Sequence, residues 1–362
     1  MKPILKPKLK PPNLHLVETP QRNDGGLSFD SQYESILVPE SKAFSLNTLM
    51  KRATRIQEKC TDYVVRNSAA NIEVIDGLRV NTIYDDKSNV FNFTEHSLGQ
   101  ICNRLEIPFS YIKRCHLEGK TDLAIENLNA WIKHTDKDYL VRTYNGRQIR
   151  GLLSTRYTPF DTPDILKVVD DLVDQGEYKI KGFTLNPERF HLRLVGEKLD
   201  IPNEDIFAGI QIDSSDVGRS RLFVRFFIYK QVCTNGLMRT LDSDYLFVQR
   251  HMGITTEIFA QEFSDALKRL PEIAAEAIEQ VRLATKKSIK LEPENISEEA
   301  MSNLRNVTGL SEDIINKAAV LMHQNYKPTV WGLINGVTEV AKGLTLEKRL
   351  EVERRAGLLL TA

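Results

Sequence analysis

The sequence predicts an α+β protein: a twisted, mainly antiparallel sheet with one basic face, packed by helices and followed by a C-terminal helical region. Two patterns support this class. Several segments alternate apolar and polar residues with a period of two, most clearly between positions 214 and 239. Beyond Thr255, apolar residues recur instead at steps of three and four, as they do along the buried face of a helix.

Length and composition limit the possible classes of protein. The chain has 362 residues, of which 41% are hydrophobic, so it can bury a sizeable core and is expected to divide into two or more units. No run approaches the roughly 18 apolar residues of a membrane helix, and the first residues lack the apolar stretch of a secretory signal. We therefore expect a cytoplasmic protein with no membrane contact.

Motifs for catalysis or cofactor binding are not found. The four cysteines lack CxxC spacing and the seven histidines are dispersed, so the sequence predicts neither a disulfide nor a metal site. The glycine-rich phosphate loops GxxxxGK[ST] and GxGxxG are missing, as is the nucleophile elbow GxSxG. The sequence thus identifies no catalytic residue, no metal ligand and no cofactor, and favours a protein that is not an enzyme.

Composition and periodicity divide the chain into four parts. They are a flexible basic tail (1–40), a helical and short-hairpin N-terminal part (41–135), an α+β core with an antiparallel sheet (136–292) and a C-terminal helical region (293–362). The tail carries four lysines and no acid in its first eleven positions. It is interpreted either as a solvated tail or as an arm that contacts phosphate.

The N-terminal part begins with a helix behind the capping residue Ser45 and continues with a hairpin at Asp76-Gly77. The segment FTEHSLGQICNRLEIPFSYIKRC then predicts two short helices that meet at a tight turn. This spacing is typical of a DNA-binding helix-turn-helix, but helical hairpins in protein cores share it. Glu106 stands where the DNA-binding motif usually has glycine, which favours the core hairpin.

A second hairpin is predicted around Asn145-Gly146, because both positions of a two-residue turn require positive φ. In the expected register Tyr144 lies opposite Arg147 and Arg142 lies opposite Ile149. Arg142, Tyr144 and Arg147 then share one face, and Arg150 falls on the other face. Arg156 adds a further cation, and no acid lies between Tyr139 and Phe160.

The strand-like run from 214 to 239 is the most one-sidedly basic part of the chain, although the whole sequence balances 49 cations against 49 acids. Arg221, Phe223, Arg225 and Tyr229 point to one face, and apolar residues point to the other. The strand ERFHLRLV repeats the pattern with Arg189, His191 and Arg193. The run is expected to end in a turn at Asn235-Gly236.

Cations interleaved with aromatic rings suit single-stranded nucleic acid, because guanidinium groups neutralise phosphates while rings stack on unpaired bases. The candidate nucleic-acid-binding residues are Arg142, Tyr144, Arg147, Arg150, Arg156, Arg189, Arg193, Arg221, Phe223, Arg225 and Tyr229. Two alternatives stay open. The arginines pair with acids from elsewhere on a solvated face, or the C-terminal helices cover that face.

Three segments carry a resemblance to a known family: RTYNGRQIRGLLSTRYTPFDTPDIL, QIDSSDVGRSRLFVRFFIYKQVCTNGL and TVWGLINGVTEV. Through these segments the chain resembles phage and plasmid proteins that carry the domain of unknown function 932. The resemblance covers about residues 90–362. The resemblance implies an α+β core and a phage, prophage or conjugative element in a bacterial host. It supplies no catalytic residue. Single-strand-annealing recombinases of mobile elements, which assemble into rings, are an analogy at the level of fold.

The leading hypothesis is a non-enzymatic protein of a mobile element that binds single-stranded DNA along the basic face and promotes annealing or recombination. Its expected partners are single-stranded nucleic acid and further copies of itself in a homo-oligomer, including a ring. The alternative is a protein-interaction module that modulates a host defence or replication factor. An enzyme of unrecognised type is favoured only if the arginines and His191 line a pocket for a phosphate-bearing ligand.

Overall fold

A computed structural model describes residues 45–84, 86–174, 178–202, 204–230, 235–237, 245–293 and 295–361. The predicted tail (1–40) and Arg239 lie outside these ranges. The described residues form helices and two mostly antiparallel six-stranded sheets, which confirms the α+β class with a helical C-terminal region. None of the helices in the described ranges is long and apolar enough to cross a membrane.

The elements follow one another along the chain. The helices are α1 (Leu46–Gln57), α2 (Ser68–Asn71), α3 (Glu95–Arg104), α4 (Phe109–Leu117), α5 (Thr121–His134), α6 (Thr162–Asp174), α7 (Thr256–Lys286), α8 (Glu298–Thr308), α9 (Glu312–Asn325), α10 (Val330–Ala341) and α11 (Leu346–Gly357). The strands are β1 (Cys60–Val65), β2 (Ile72–Ile75), β3 (Arg79–Tyr84), β4 (Lys87–Phe93), β5 (Tyr139–Tyr144), β6 (Gln148–Ser154), β7 (Lys179–Leu185), β8 (Phe190–Lys198), β9 (Ile206–Ser214), β10 (Leu222–Lys230), β11 (Asn235–Leu237) and β12 (Tyr245–Gln249).

The first sheet has the order β1-β5-β6-β4-β3-β2 and packs against α3, α4 and α5. The two short helices α3 and α4 form the predicted helical hairpin, with Glu106 at a φ of 58° in the turn. Leu98, Ile101 and Ile112 from these helices are buried in the core of this sheet. Burial of these apolar residues explains the spacing without any contact to a DNA groove.

The hairpin at Asn145-Gly146 has the predicted turn but differs from its prediction in register and in the sheet to which it belongs. Both residues have positive φ, 54° and 62°, as the turn requires. However, Tyr144 pairs with Gln148 and Arg142 with Gly151, so the expected register is wrong. A bulge between Arg142 and Thr143 shifts the pairing, which leaves Arg150 without an opposite residue and turns it to the side of Arg142. The hairpin also belongs to the first sheet, not to the sheet that contains β10.

The second sheet has the order β11-β10-β9-β8-β7, with β12 also paired to β10. Its alternation follows the prediction: Leu222, Val224 and Phe226 are buried in the large core beneath α7 and the C-terminal helices. The opposite face carries the polar residues. The predicted turn at Asn235-Gly236 is wrong, because these residues pair with Lys230 and Tyr229 as the short strand β11.

Helix α10 fixes the C-terminal region to this sheet. A Cβ on Gly336 would lie 2.3 Å from the carbonyl oxygen of Ala318 in α9, so only glycine permits this close approach. Trp331 donates a hydrogen bond from Nε1 to Glu204 (3.1 Å), and Lys230 pairs with the same carboxylate (2.7 Å). Helix α11 then runs back across the polar face of the second sheet, where its Glu353 contacts Arg193 of β8.

Candidate nucleic-acid interface

The predicted cationic residues do not share one surface. Arg142 and Arg150 are enclosed where elements of both sheets meet. Arg189, Arg193 and Arg225 lie on the polar face of the second sheet, beneath or beside α11. The remaining arginines of the predicted set, Arg147, Arg156 and Arg221, are exposed. The burial and partners of each group decide what it can bind.

Five charged residues form what we call the junction cluster: Asp62, Arg142, Arg150, Asp161 and Asp216. Arg142 is 1% exposed; its Nη2 lies 2.7 Å from Asp161 and 2.8 Å from Asp62. Arg150, equally buried, lies 3.6 Å from Asp216 and donates to the Pro187 carbonyl (2.7 Å). Two cations thus face three carboxylates, and both arginines are enclosed by protein instead of reaching a ligand.

Burial shifts the pKa values of titratable groups in and near the junction cluster. The pKa of Asp216 is raised to about 7, because burial and the nearby Asp161 charge outweigh the attraction of Arg150 and Arg142. The ring of His251 stacks on Tyr157 with centroids 5.1 Å apart. Burial lowers the pKa of His251 to about 4, so its imidazole is neutral at pH 7. The Cys60 thiol, also near the cluster, has its pKa raised by burial to about 11.

The polar face of the second sheet is ordered in rows that run across its strands. One row contains His191, Asp213 and Phe223, and the next contains Arg193, Gln211 and Arg225. Further along the strands lie Val195 and Phe227, which form a small apolar cluster with Leu350 of α11. The sheet therefore changes from polar to apolar along one face, and α11 contacts it near the change.

Helix α11 covers the middle of this face. Its Glu353 is fully buried, with the carboxylate 2.5 Å from Arg193 and 2.8 Å from Arg349. Arg193 also donates through Nε to Gln211 at 3.2 Å. The alternative of coverage by the C-terminal helices is thus correct for Arg193 in this row. Arg193 is paired within the protein and is not available as a surface cation.

An opening remains beside α11, which we call the α11 groove. It has a volume of about 290 Å³. It is lined by Thr184, Arg189, Phe190, His191, Gln211, Asp213, Ser214, Ser220, Phe223, Arg225, Leu350, Glu351 and Arg354. Three half-buried arginines, Arg189, Arg225 and Arg354, face this space together with two carboxylates. The partly enclosed groove thus has one more arginine than carboxylates and contains an aromatic side chain.

Internal bonds occupy the groove's Asp213. Its Oδ1 lies 2.7 Å from Nδ1 of His191, and Oδ2 accepts a hydrogen bond from Gln211 at 2.7 Å. Burial alone would raise the pKa of Asp213, but the contacts with His191 and Arg225 outweigh it and lower the pKa to about 2. The Arg225 guanidinium carbon lies 4.4 Å from the centroid of the Phe223 ring, a cation–π contact that positions both groups.

The residues predicted from the sequence are divided between the groove and other parts of the fold. Arg189, Phe223 and Arg225 line the groove, whereas Arg147 and Arg156 do not. Tyr229 is 3% exposed and lies outside the groove, and Tyr144 is half-buried in the first sheet. Arg354 was missed, because the helical segment EKRLEVERRAG carries charges on several sides. No signal in that segment shows which of them turns toward the sheet.

Comparison of the chain with protein-family models, with curated proteins and with solved structures found no significant match. Within the described ranges, no three histidine, cysteine or acidic side chains are grouped so as to hold a metal ion. The function is therefore argued from the groove itself.

Proposed function

We propose that the protein binds single-stranded nucleic acid in the α11 groove. The observation that carries this proposal is the placement of Arg189, Arg225 and Arg354 around one opening that also contains Phe223. Guanidinium groups bind phosphate oxygens in a bidentate manner. An aromatic ring beside them stacks on an unpaired base and contributes about 1–3 kcal/mol. A base held in a duplex cannot make this contact, so the groove favours a single strand.

The internal bonds of Asp213 support the same reading. Both oxygens of Asp213 are held by contacts with His191 and Gln211, so this carboxylate is fixed within the wall of the groove. Its charge also attracts Arg225, so it helps to hold the guanidinium in place before a ligand arrives. The exposed Arg221 immediately precedes β10 and supplies a further cation near the groove. Binding is expected to be nearly independent of base sequence and to weaken as salt rises.

The test is the binding of a fluorescent oligothymidine at low salt, measured by anisotropy. The double variant Arg189→Ala/Arg225→Ala should weaken binding at least about tenfold, as expected for the loss of two charged contacts. Arg305→Ala is the matched control, because Arg305 lies on α8, pairs with Glu312 and is 54% exposed. Equal affinity of the double variant and the wild type would contradict the proposal, as would failure of the wild type to bind.

Self-association and annealing belong to the same proposal, as does an origin in a phage or other mobile element. The origin is supported by the resemblance of the segments around β5–β6, β9–β10 and α10 to proteins of such elements. Self-association and annealing are supported by the fold-level analogy with single-strand-annealing recombinases. Mass photometry with and without oligonucleotide measures the assembly, and a complementary-strand assay measures annealing. A protein that binds the strand as a monomer and leaves the annealing rate unchanged would restrict the function to binding.

A second candidate, a protein-interaction module, is favoured by one surface. On α4 and α5, Leu117 is 73% exposed, Trp131 is 52% exposed and Leu123 is 44% exposed. Exposed large apolar side chains on the neighbouring helices α4 and α5 are of the kind found at protein contacts. A pull-down from nuclease-treated host lysate tests this candidate by comparison of the wild type with Trp131→Ala. Recovery of one host protein by the wild type alone would favour it.

A further inference from the structure

A larger cavity lies at the opposite end of the same sheet, on the far side of the apolar row. We call it the end cavity; its volume is about 830 Å³. Such a volume is within the roughly 300–1,000 Å³ of small-molecule sites, which combine apolar walls with a few polar groups. Phe207 and Tyr229 contribute from β9 and β10, and Leu267, Leu270 and Ala274 contribute from α7. The end cavity therefore has an aliphatic wall on one side and aromatic rings on the other.

The cations of the end cavity are Lys179 and Lys181, both from the edge strand β7. A bulge between Ile180 and Gly182 displaces Lys181 from the regular ladder. The Nζ of Lys181 lies 5.5 Å from the centroid of the Tyr229 ring. Tyr229 is on β10, which is separated from β7 by β8 and β9. A lysine of the edge strand is thus held over an aromatic ring at the wall of the cavity.

A third ring is fixed by a glycine. A Cβ on Gly196 would lie 2.8 Å from the ring of Tyr178, so the ring rests directly on the backbone of β8. Tyr178, Phe207 and Tyr229 then line one cavity with two lysines. A flat ring fits between aliphatic and aromatic side chains, and an ammonium group binds phosphate as a point charge. Glu197, also at the wall, is an acceptor for an exocyclic amine.

We propose that the end cavity binds one nucleotide, with the base against the rings and the phosphate at Lys179 and Lys181. The choice of a nucleotide over another aromatic anion rests on the proposed function. Phe223 and Tyr229 are six residues apart on the same face of β10, which separates the two sites by roughly 20 Å. A strand long enough to reach both would gain affinity, because the second contact becomes intramolecular.

The test is isothermal titration of the full chain with deoxyadenosine monophosphate, deoxyadenosine and decanoate. The monophosphate should bind, and deoxyadenosine should bind more weakly because it lacks the phosphate. Lys181→Gln should lower the affinity for the monophosphate about tenfold, as expected for the loss of one charge-assisted contact. Ala274→Phe is the second variant, because it fills the cavity from α7 and should abolish binding. Circular dichroism confirms that both variants are folded.

The control variant Arg305→Ala changes neither lining and should leave monophosphate binding unchanged. The comparison variant Arg225→Ala removes a cation of the α11 groove and should weaken monophosphate binding less than Lys181→Gln does. If Arg225→Ala weakens the monophosphate while Lys181→Gln does not, the nucleotide lies in the groove and the inference is wrong. Binding of decanoate without the monophosphate would assign the cavity to aliphatic anions and also overturn it. If no nucleotide binds but oligothymidine still binds through the groove, the inference fails and the proposed function stands.

Discussion

The junction cluster and the α11 groove contain the same kind of residue in opposite states. In the junction, Arg142 contacts Asp62 and Asp161, which are 80 and 19 positions away in sequence. In the groove, Arg189, Arg225 and Arg354 border an open space of about 290 Å³. An arginine of an alternating strand is thus either enclosed among carboxylates from distant segments or placed at the wall of a groove. The packing of distant parts of the fold decides which.

This difference assigns separate roles to the two regions. Removing one member of a buried ion pair leaves its partner charged and desolvated, which costs several kcal/mol of stability. Exposed or half-buried arginines contribute little to stability but act on a charged ligand. We therefore expect changes of the junction arginines to affect unfolding and changes of the groove arginines to affect binding. Variants that mix the two effects would break the comparison.

The largest effect is expected from Arg142→Ala. This change leaves the carboxylates of Asp62 and Asp161 without their main cation, so the free energy of unfolding should fall by about 3–5 kcal/mol. Urea denaturation followed by circular dichroism measures it. Arg147→Ala, which removes an exposed arginine from the same hairpin, should change stability by less than about 0.5 kcal/mol. Equal effects of the two variants would show that the junction is not stabilised by this pairing.

A somewhat smaller loss, about 3 kcal/mol, is expected from Glu353→Ala, because Arg193 would remain buried without its carboxylate. The comparison is Glu351→Ala, two residues earlier on α11. Glu351 is exposed and lines the groove, so its removal should leave stability nearly unchanged and strengthen oligonucleotide binding. Weaker oligonucleotide binding by Glu351→Ala would contradict the proposal that the groove binds phosphate.

The contributions of the two regions to stability should also change with pH in opposite directions. The folded pKa of Asp216 is about 7, above its unfolded value near 4, so the folded state keeps a proton that the unfolded state releases. The stability that this proton contributes is present below pH 4 and is lost as pH rises from about 4 to 7. Denaturation across this range should show the decline in the wild type relative to Asp216→Asn. A constant difference between the two proteins would contradict the raised pKa.

Asp213 of the groove supplies the opposite case. Its folded pKa of about 2 lies below the unfolded value, so its contribution is present above about pH 4 and is lost as pH falls toward 2. Asp213→Asn should therefore differ from the wild type mainly above pH 4. A difference that grows on acidification would show that the carboxylate is not stabilised by His191 and Arg225.

The smallest effect is expected from Arg221→Ala. This exposed arginine precedes β10 and contacts phosphate only at the edge of the groove in our proposal. Its removal should leave stability unchanged and reduce the slope of log affinity against log salt by about one unit. Titrations of oligothymidine at four salt concentrations measure the slope. An unchanged slope would exclude Arg221 from the interface.

Local patterns in the sequence were sufficient to predict the fold class. The alternation in β8 and β10 depends only on the two-residue period of a strand, and the turn at Asn145-Gly146 depends only on backbone sterics. Register was predicted less well, because a bulge lies directly after Arg142, a residue whose side chain pairs with distant acids that the local pattern does not show. The assignment of the hairpin to the first sheet depends on pairing with β1, which local periodicity does not encode.

The candidate site was predicted in part for the same reason. Arg189, Phe223 and Arg225 could be identified because they alternate with core residues on their own strands. Arg193 follows the same alternation, but it is buried by a pairing with Glu353, which is 160 positions away in the sequence. Arg354 reaches the groove through the docking of α11. Such long-range pairings decide exposure, and the sequence of either segment alone contains no information about them.

The central claim is that a single strand lies in the α11 groove and not on another basic surface. Photo-crosslinking of an oligonucleotide that carries 4-thiothymidine, followed by peptide mapping, tests it most directly. We predict crosslinks to β10 near Phe223 and to the segment of α11 around Leu350 and Arg354. Crosslinks confined to the hairpin at Arg147 or to α4 and α5, or the absence of any crosslink, would contradict the account.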